Sequence, residues 1–260
     1  MLHNIKELTG LTIGARDGEL GKVKDAYFDD EHWVIRHLVV DTGGWLSGRK
    51  VLISPRSVRG IDWDGEVIRV DLSRQQVKDS PSIDTDRPVS RQHEIDYYRY
   101  FGYPNYWEGA NLWGNTILPY PWVGAAVDPM VARESVDPAI AREIRGRIDE
   151  ELNEANVHLR SCDEVMGYEL LATDGSIGEV DDFVFDDESF AIRFIVVDTR
   201  KWLPGKHVTI APTAIDRVSW EDREVDVKLS REAVQNSPEY DASRPPSEAL
   251  GRGMGAAPIA

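Results

Sequence analysis

Apolar positions in this chain fall into short alternating runs broken by Gly, Pro and Asp. That is the period of strands rather than the 3.6-residue spacing of helices. Residues 11–15 read as a strand closed by Asp17-Gly18, a dipeptide suited to the positive φ of hairpin turns. Residues 21–28 read as the return strand, with Val23 on one face. A polar turn follows, Asp29-Asp30-Glu31, and then residues 33–40, the run richest in β-branched and aromatic side chains. Residues 50–53 form a strand stopped by Pro55, which cannot donate to a ladder. Residues 58–63 and 67–72, separated by Asp64-Gly65, complete a set of five or six strands. Ser73 then caps a short helical turn over 74–78, ended by Ser80-Pro81.

The whole pattern recurs. Residues 10–88 align without a gap to residues 167–245, at a constant offset of 157. Asp17-Gly18 and Gly21 return as Asp174-Gly175 and Gly178, and Phe28-Asp29-Asp30-Glu31 as Phe185-Asp186-Asp187-Glu188. Ile35-Arg36 with Val39-Val40-Asp41-Thr42 returns as Ile192-Arg193 with Val196-Val197-Asp198-Thr199. Trp45-Leu46, Trp63, Leu72-Ser73-Arg74 and Ser80-Pro81 have their counterparts in Trp202-Leu203, Trp220, Leu229-Ser230-Arg231 and Ser237-Pro238. An ordered series of varied residues marks an internal duplication. Each copy of about 80 residues is too small to leave a flat sheet half bare, so curling into a small barrel is expected. The predicted organisation is all-β with a helical connector: a barrel over 1–88, a connector over 89–156, a second barrel over 157–245, and a disordered tail over 246–260.

The series D-G-x-x-G-x-V-x-D-x-x-F-D-D, then I-R-x-x-V-V-D-T and W-L-x-G, resembles the PRC-barrel in tandem. That small SH3-like β-barrel is named for the cytoplasmic part of the photosynthetic reaction-centre H subunit and also occurs in a ribosome maturation factor. The resemblance covers both copies and is closest to bacterial two-barrel proteins. It implies a non-catalytic interaction or scaffold role with a protein partner. Alternative roles by the same analogy are a regulator beside a membrane electron-transfer complex and an adaptor in ribosome or RNA processing.

The connector changes the picture most. Residues 97–122 hold six of the nine tyrosines and three of the eight tryptophans, interleaved with Gly and Pro. Either these rings pack on the barrels, or Tyr106, Trp107, Trp113 and Trp122 form a partner-binding surface. Asp137-Pro138 suits a helix start, and Ile140, Ile144, Ile148 and Leu152 then make a narrow apolar stripe near 138–155. That stripe lies on a barrel or makes a homodimer contact.

Charge and chemistry narrow the functional class. A formal net charge of −16 argues against nucleic-acid binding, which needs clustered Lys and Arg. Residues 10–88 carry net −2 and residues 167–245 net −8. No apolar run reaches membrane-spanning length and no signal-peptide layout opens the chain, so a cytoplasmic location is expected, with a peripheral membrane complex still open. Cys162 is the single cysteine and reads as structural. The histidines show no paired metal-ligand spacing, and His37 aligns with Phe194, which makes it a packing position. No catalytic constellation or cofactor motif is present, so no enzyme activity and no cofactor are expected. The acidic turns, Asp29, Asp30 and Glu31 with Asp186, Asp187 and Glu188, are weak candidates for a hard cation; the alternative is turn formation by Asx hydrogen bonds. Trp45-Leu46 and Trp202-Leu203 either plug the barrel ends or present a partner contact.

Overall fold

The computed structural model describes residues 1–81, 89–120, 159–199, 207–237 and 239–241. The expected helix near 138–155, the tail, Trp122, Trp202 and Leu203 lie outside the described residues.

The described part of the first repeat runs β1 (Leu2–Asn4), α1 (Ile5–Leu8), β2 (Thr12–Ala15), β3 (Gly18–Asp29), β4 (Val34–Asp41), β5 (Lys50–Ile53), β6 (Val58–Asp62), β7 (Val67–Val70) and α2 (Arg74–Lys78). The connector contributes α3 (Arg91–Phe101). The second repeat follows with β8 (Leu159–Ser161), α4 (Cys162–Val165), β9 (Glu169–Ala172), β10 (Gly175–Asp186), β11 (Ile192–Asp198), β12 (His207–Ile210), β13 (Ile215–Ser219), β14 (Glu224–Val227) and α5 (Arg231–Gln235). The protein is thus all-β with a helical connector, and the two seven-stranded sheets share one strand order, β5-β4-β3-β2-β7-β6 and β12-β11-β10-β9-β14-β13. The two ends of the first sheet, β5 and β6, are joined by the 3-10 turn Pro55–Ser57.

The expected turn chemistry is present in both copies. Ala15 faces Gly18 across the first hairpin and Ala172 faces Gly175 across its counterpart. The turn aspartates then reach to a helix start: Asp17 Oδ1 accepts from the Arg74 N–H at 2.8 Å, and Asp174 Oδ1 from the Arg231 N–H at 2.7 Å. Ser73 caps α2 in a reciprocal box with Gln76, as its sequence position predicts. Trp33, read as the first residue of a strand, instead closes the turn with φ 56°, and its counterpart Phe190 does the same at 59°. Both rings are buried, which holds them in a conformation that bulky side chains otherwise avoid.

The chain separates into two compact units whose limits do not follow the repeats. One consists of Leu11–Lys24 and Arg36–Leu159. The other consists of Met1–Gly10, Asp25–Ile35 and Arg160–Ala260, so it draws on both copies. Inside this second unit β1 adds to β10, with Leu2 opposite Asp186 and Asn4 opposite Val184. In the same way β8 pairs with β3. The first turn of each following helix rests on an aspartate: the Lys6 N–H on buried Asp182 Oδ1 at 3.4 Å, and the Asp163 N–H on half-buried Asp25 Oδ1 at 3.0 Å. Burial pushes both carboxyls up, that of Asp182 to about 6, against the opposing pull of hydrogen bonds from Phe183 N and Lys6 N.

Two expectations follow. Gly21 has φ +143°, and a Cβ there would stand 1.9 Å from the Asp41 carbonyl oxygen; Gly178, at +137°, would meet Asp198 O at 2.1 Å. Gly21→Ala should therefore cost well over ~1 kcal/mol in urea unfolding, whereas Gly10→Ala, at φ +94° with nothing within 4 Å, should cost less. The second concerns acid. A carboxyl raised on folding from 3.8 to about 6 disfavours the fold once it ionises, so its contribution is most favourable below pH 3.8 and declines as pH rises to 6. Asp182→Asn removes that decline. The stability difference between variant and wild type should move in the variant's favour by roughly 2–3 kcal/mol from acid to neutral pH, measured by denaturant titration across that window.

Candidate interaction site

The connector meets the first barrel inside the unit formed by Leu11–Lys24 and Arg36–Leu159, and every connector contact described below lies within it. Ser90 starts α3 by accepting from the His93 N–H, and Gly102 ends it with φ 69°. Between them Glu94, Tyr97, Tyr98 and Phe101 fall at i, i+3, i+4 and i+7, which places them on one face. That face is turned to the barrel: Glu94, Tyr97 and Tyr98 are buried.

Tyr97 resolves the problem of an edge strand. β5 ends its sheet, so its outward backbone groups lack a ladder partner. The Tyr97 hydroxyl accepts from the Ser54 N–H at 3.0 Å and donates to the Leu52 carbonyl at 3.1 Å. Burial raises this phenol well above its ordinary range and takes that of Tyr98 up to about 12, so both stay neutral at any physiological pH.

Beyond α3 the chain folds back so that its carbonyls meet two arginines. Arg36 is fully buried on β4 and donates to the Leu112 carbonyl, while Arg56, from the 3-10 turn, donates to the Trp113 carbonyl at 2.8 Å. The Arg36 guanidinium also lies 3.8 Å from the Tyr106 ring centroid and 4.9 Å from that of Trp113. Burial, opposed by Tyr98 and aided by the neighbouring Arg36 charge, draws the Arg56 guanidinium below its ordinary value. Glu94 supplies the balancing charge: it accepts from Arg91 at 2.9 Å and from the Tyr106 hydroxyl at 2.8 Å. His37 stands edge-on to Tyr97 with Nε2 3.7 Å from Glu94. Cations taken from water are thus met by carbonyls, ring faces and one carboxylate.

Of the residues singled out in the sequence, Tyr106 and Trp113 are 3% and 1% exposed and form the inner wall of this site, so neither ring offers a surface to a partner in this structure. Their aromatic bulk goes to holding Arg36. Trp107 is half-buried, with Arg91 4.4 Å over its ring. Trp45 and Leu46 sit in the 3-10 turn Gly43–Leu46, half-buried; the Trp45 indole donates to the Leu20 carbonyl at 2.6 Å and lies under the Arg74 guanidinium. The acidic turns are occupied by local and cross-repeat bonds. Asp29 accepts from the His32 N–H, Asp30 from Arg160 Nε at 2.7 Å, and Asp186 from both the N–H and hydroxyl of Ser189. Burial opposes ionisation of Asp186, but the Ser189 bonds outweigh it and hold its carboxyl below the usual range. Asp187 pairs with the N-terminal ammonium and with His3, while Glu31 is exposed. Among the described residues no group of three or more His, Cys, Asp or Glu is placed to hold one metal ion. Cys162 is buried, and burial among aspartates pushes its thiol up.

Arg36, Arg56 and Glu94 were missed as site residues. The available signal was a charged residue inside the strongest strand, since Arg36, with His37 beside it, interrupts a run otherwise apolar.

This strand order, given twice with a connector docked on the first copy, defines a protein built on a duplicated β-fold. Residues 2–77 match the PRC-barrel domain family, and the second repeat carries the same strand order, so the chain holds PRC-type folds in tandem. A protein of Deinococcus radiodurans described as uncharacterized is similar, 34% identical over 99 residues. The match covers 33% of this chain and 35% of that protein, so the chain spans about a third of the length of the relative it matches. Among the described residues no helix is long and apolar enough to cross a membrane.

Removing the Tyr97 hydroxyl tests how the connector is held. Tyr97→Phe takes the hydroxyl partner from the Leu52 carbonyl of β5 and from the Ser54 N–H just beyond it, and should cost about 1–3 kcal/mol. Faster amide exchange at Ser54, with the second repeat unchanged, is the expected signature.

Proposed function

We propose that this protein is a non-catalytic scaffold that binds a protein partner, using the first PRC-barrel and the connector locked onto it as the docking platform. The observation that supports this reading is the arrangement of the loop after α3. Arg36 and Arg56 hold its Leu112 and Trp113 carbonyls, which anchors the loop, while Ile117 and Leu118 a few residues on stand 57% and 37% exposed. Apolar side chains on an anchored loop bind with little ordering cost, which is what a contact for another protein needs. The half-buried Trp45-Leu46 turn offers a second apolar element on the same barrel. The family resemblance agrees with an interaction role and supplies no chemistry of its own. The chain's acidity favours a partner with a basic rim, and a cytoplasmic setting fits the same reading.

The test begins with affinity capture by the intact protein, identification of the partner, and titration of the two purified proteins by calorimetry. Ile117→Ser combined with Leu118→Ser should weaken binding at least about tenfold, with the unfolding midpoint unchanged. An unchanged affinity would remove this loop from the interface and defeat the reading.

A further inference from the structure

The unit containing Met1–Gly10, Asp25–Ile35 and Arg160–Ala260 has an internal symmetry that points to a second use of its surfaces. β1 lies on β10 while β8 lies on β3. Lys6 N donates to Asp182 and Asp163 N to Asp25. His3 stands 3.5 Å from Asp187 and Arg160 2.7 Å from Asp30. At the hairpin ends the Ile35 N–H donates to Phe190 O at 2.9 Å and the Ile192 N–H to Trp33 O at 2.7 Å, around the antiparallel bridge Val34 with Ala191. In every pair the residue from one repeat is the 157-residue counterpart of the residue its own partner uses. This is an isologous contact, in which i meets j and j meets i, the geometry of a two-fold dimer.

Such a surface recognises a repeat of this kind, and nothing in its contacts depends on which chain supplies it. We propose that the repeat–repeat interface is a self-association surface, through which two copies of the chain exchange repeats: the Met1–Gly10 segment and the 33–35 hairpin end of one copy dock on β10 and residues 190–192 of the other. The occupant is a second copy because the complement is specific. A partner must bring a strand for each edge, a backbone donor for each aspartate and a basic side chain for each acidic turn, in reciprocal register. Within one chain the same contacts form at the effective concentration set by the connector, so the closed monomer dominates in dilute solution. Exchange takes over when chains fold crowded together, as tandem repeats do. The exchanged dimer then persists, because separating it breaks two strand additions and the hairpin bridge at once.

The test uses the full-length chain carrying Leu2→Cys and Asp186→Cys, which face each other across β1 and β10. It is unfolded, refolded at ~1 mM, near the effective concentration of a tethered pair, oxidised, and separated by size. A fraction of twice the 29.3 kDa chain mass is expected, with its disulfides between chains, while the monomer fraction has them within the chain. In parallel, unsubstituted protein is refolded as a mixture of 15N-labelled and unlabelled chains and read by native mass spectrometry, which covers the case in which the double variant does not fold. Mixed-isotope dimers that survive dilution for hours are expected. Monomer alone at every concentration, or a dimer whose disulfides are all within one chain, overturns the proposal.

Discussion

The structure depends on two aspartates, half-buried Asp25 and buried Asp182, each holding the first helical turn that belongs by sequence to the other repeat. A domain of about 80 residues buries too little surface to be secure alone. Here each repeat adds its opening strand to the neighbouring sheet, and the hairpin ends join the two by backbone bonds. Burying a carboxylate is unfavourable, which is why both carboxyls are pushed up. In return, the backbone N–H groups they receive fix the register of the added strand, where a one-residue slip would turn its apolar side chains outward.

On this shared frame the repeats differ where their edges are covered. In the first, β5 is sealed by the Tyr97 hydroxyl and overlaid by rings and arginines. In the second, the equivalent edge β12 receives a backbone bridge from Glu239 to Val208 and the Tyr240 N–H on His207 O. The substitutions follow the covers. His37, Ser54 and Arg56 beneath the connector correspond to Phe194, Ala211 and Thr213. At these three positions the connector-covered copy has the more polar or cationic residue, met by carbonyls, ring faces and Glu94, whereas Arg36 has an arginine counterpart in Arg193. The connector is therefore part of the first barrel's structure and also sets which side chains of its own loop face outward.

The strand segments, the turns and the duplication were legible in the chain because they rest on local rules, whereas the order in which the strands pair was not. Alternation marks the strands, Asp-Gly and Pro55 mark their ends, Ser73 marks the α2 cap, and a constant offset shows that one topology is used twice. The opening strand β1 was not legible: three residues carry no measurable period. Nor was α3, whose aromatic side chains favour helix weakly and become helical only because a barrel face buries Tyr97 and Tyr98. Which repeat receives β1 was decided by tertiary structure alone, since a strand pattern states that an edge must be paired and never by whom. The same holds for Arg36, Arg56 and Glu94. A charge in a strand reads as solvent-facing until remote carbonyls and rings arrive to replace the water, and only the folded chain brings residues 36, 56, 94 and 113 together.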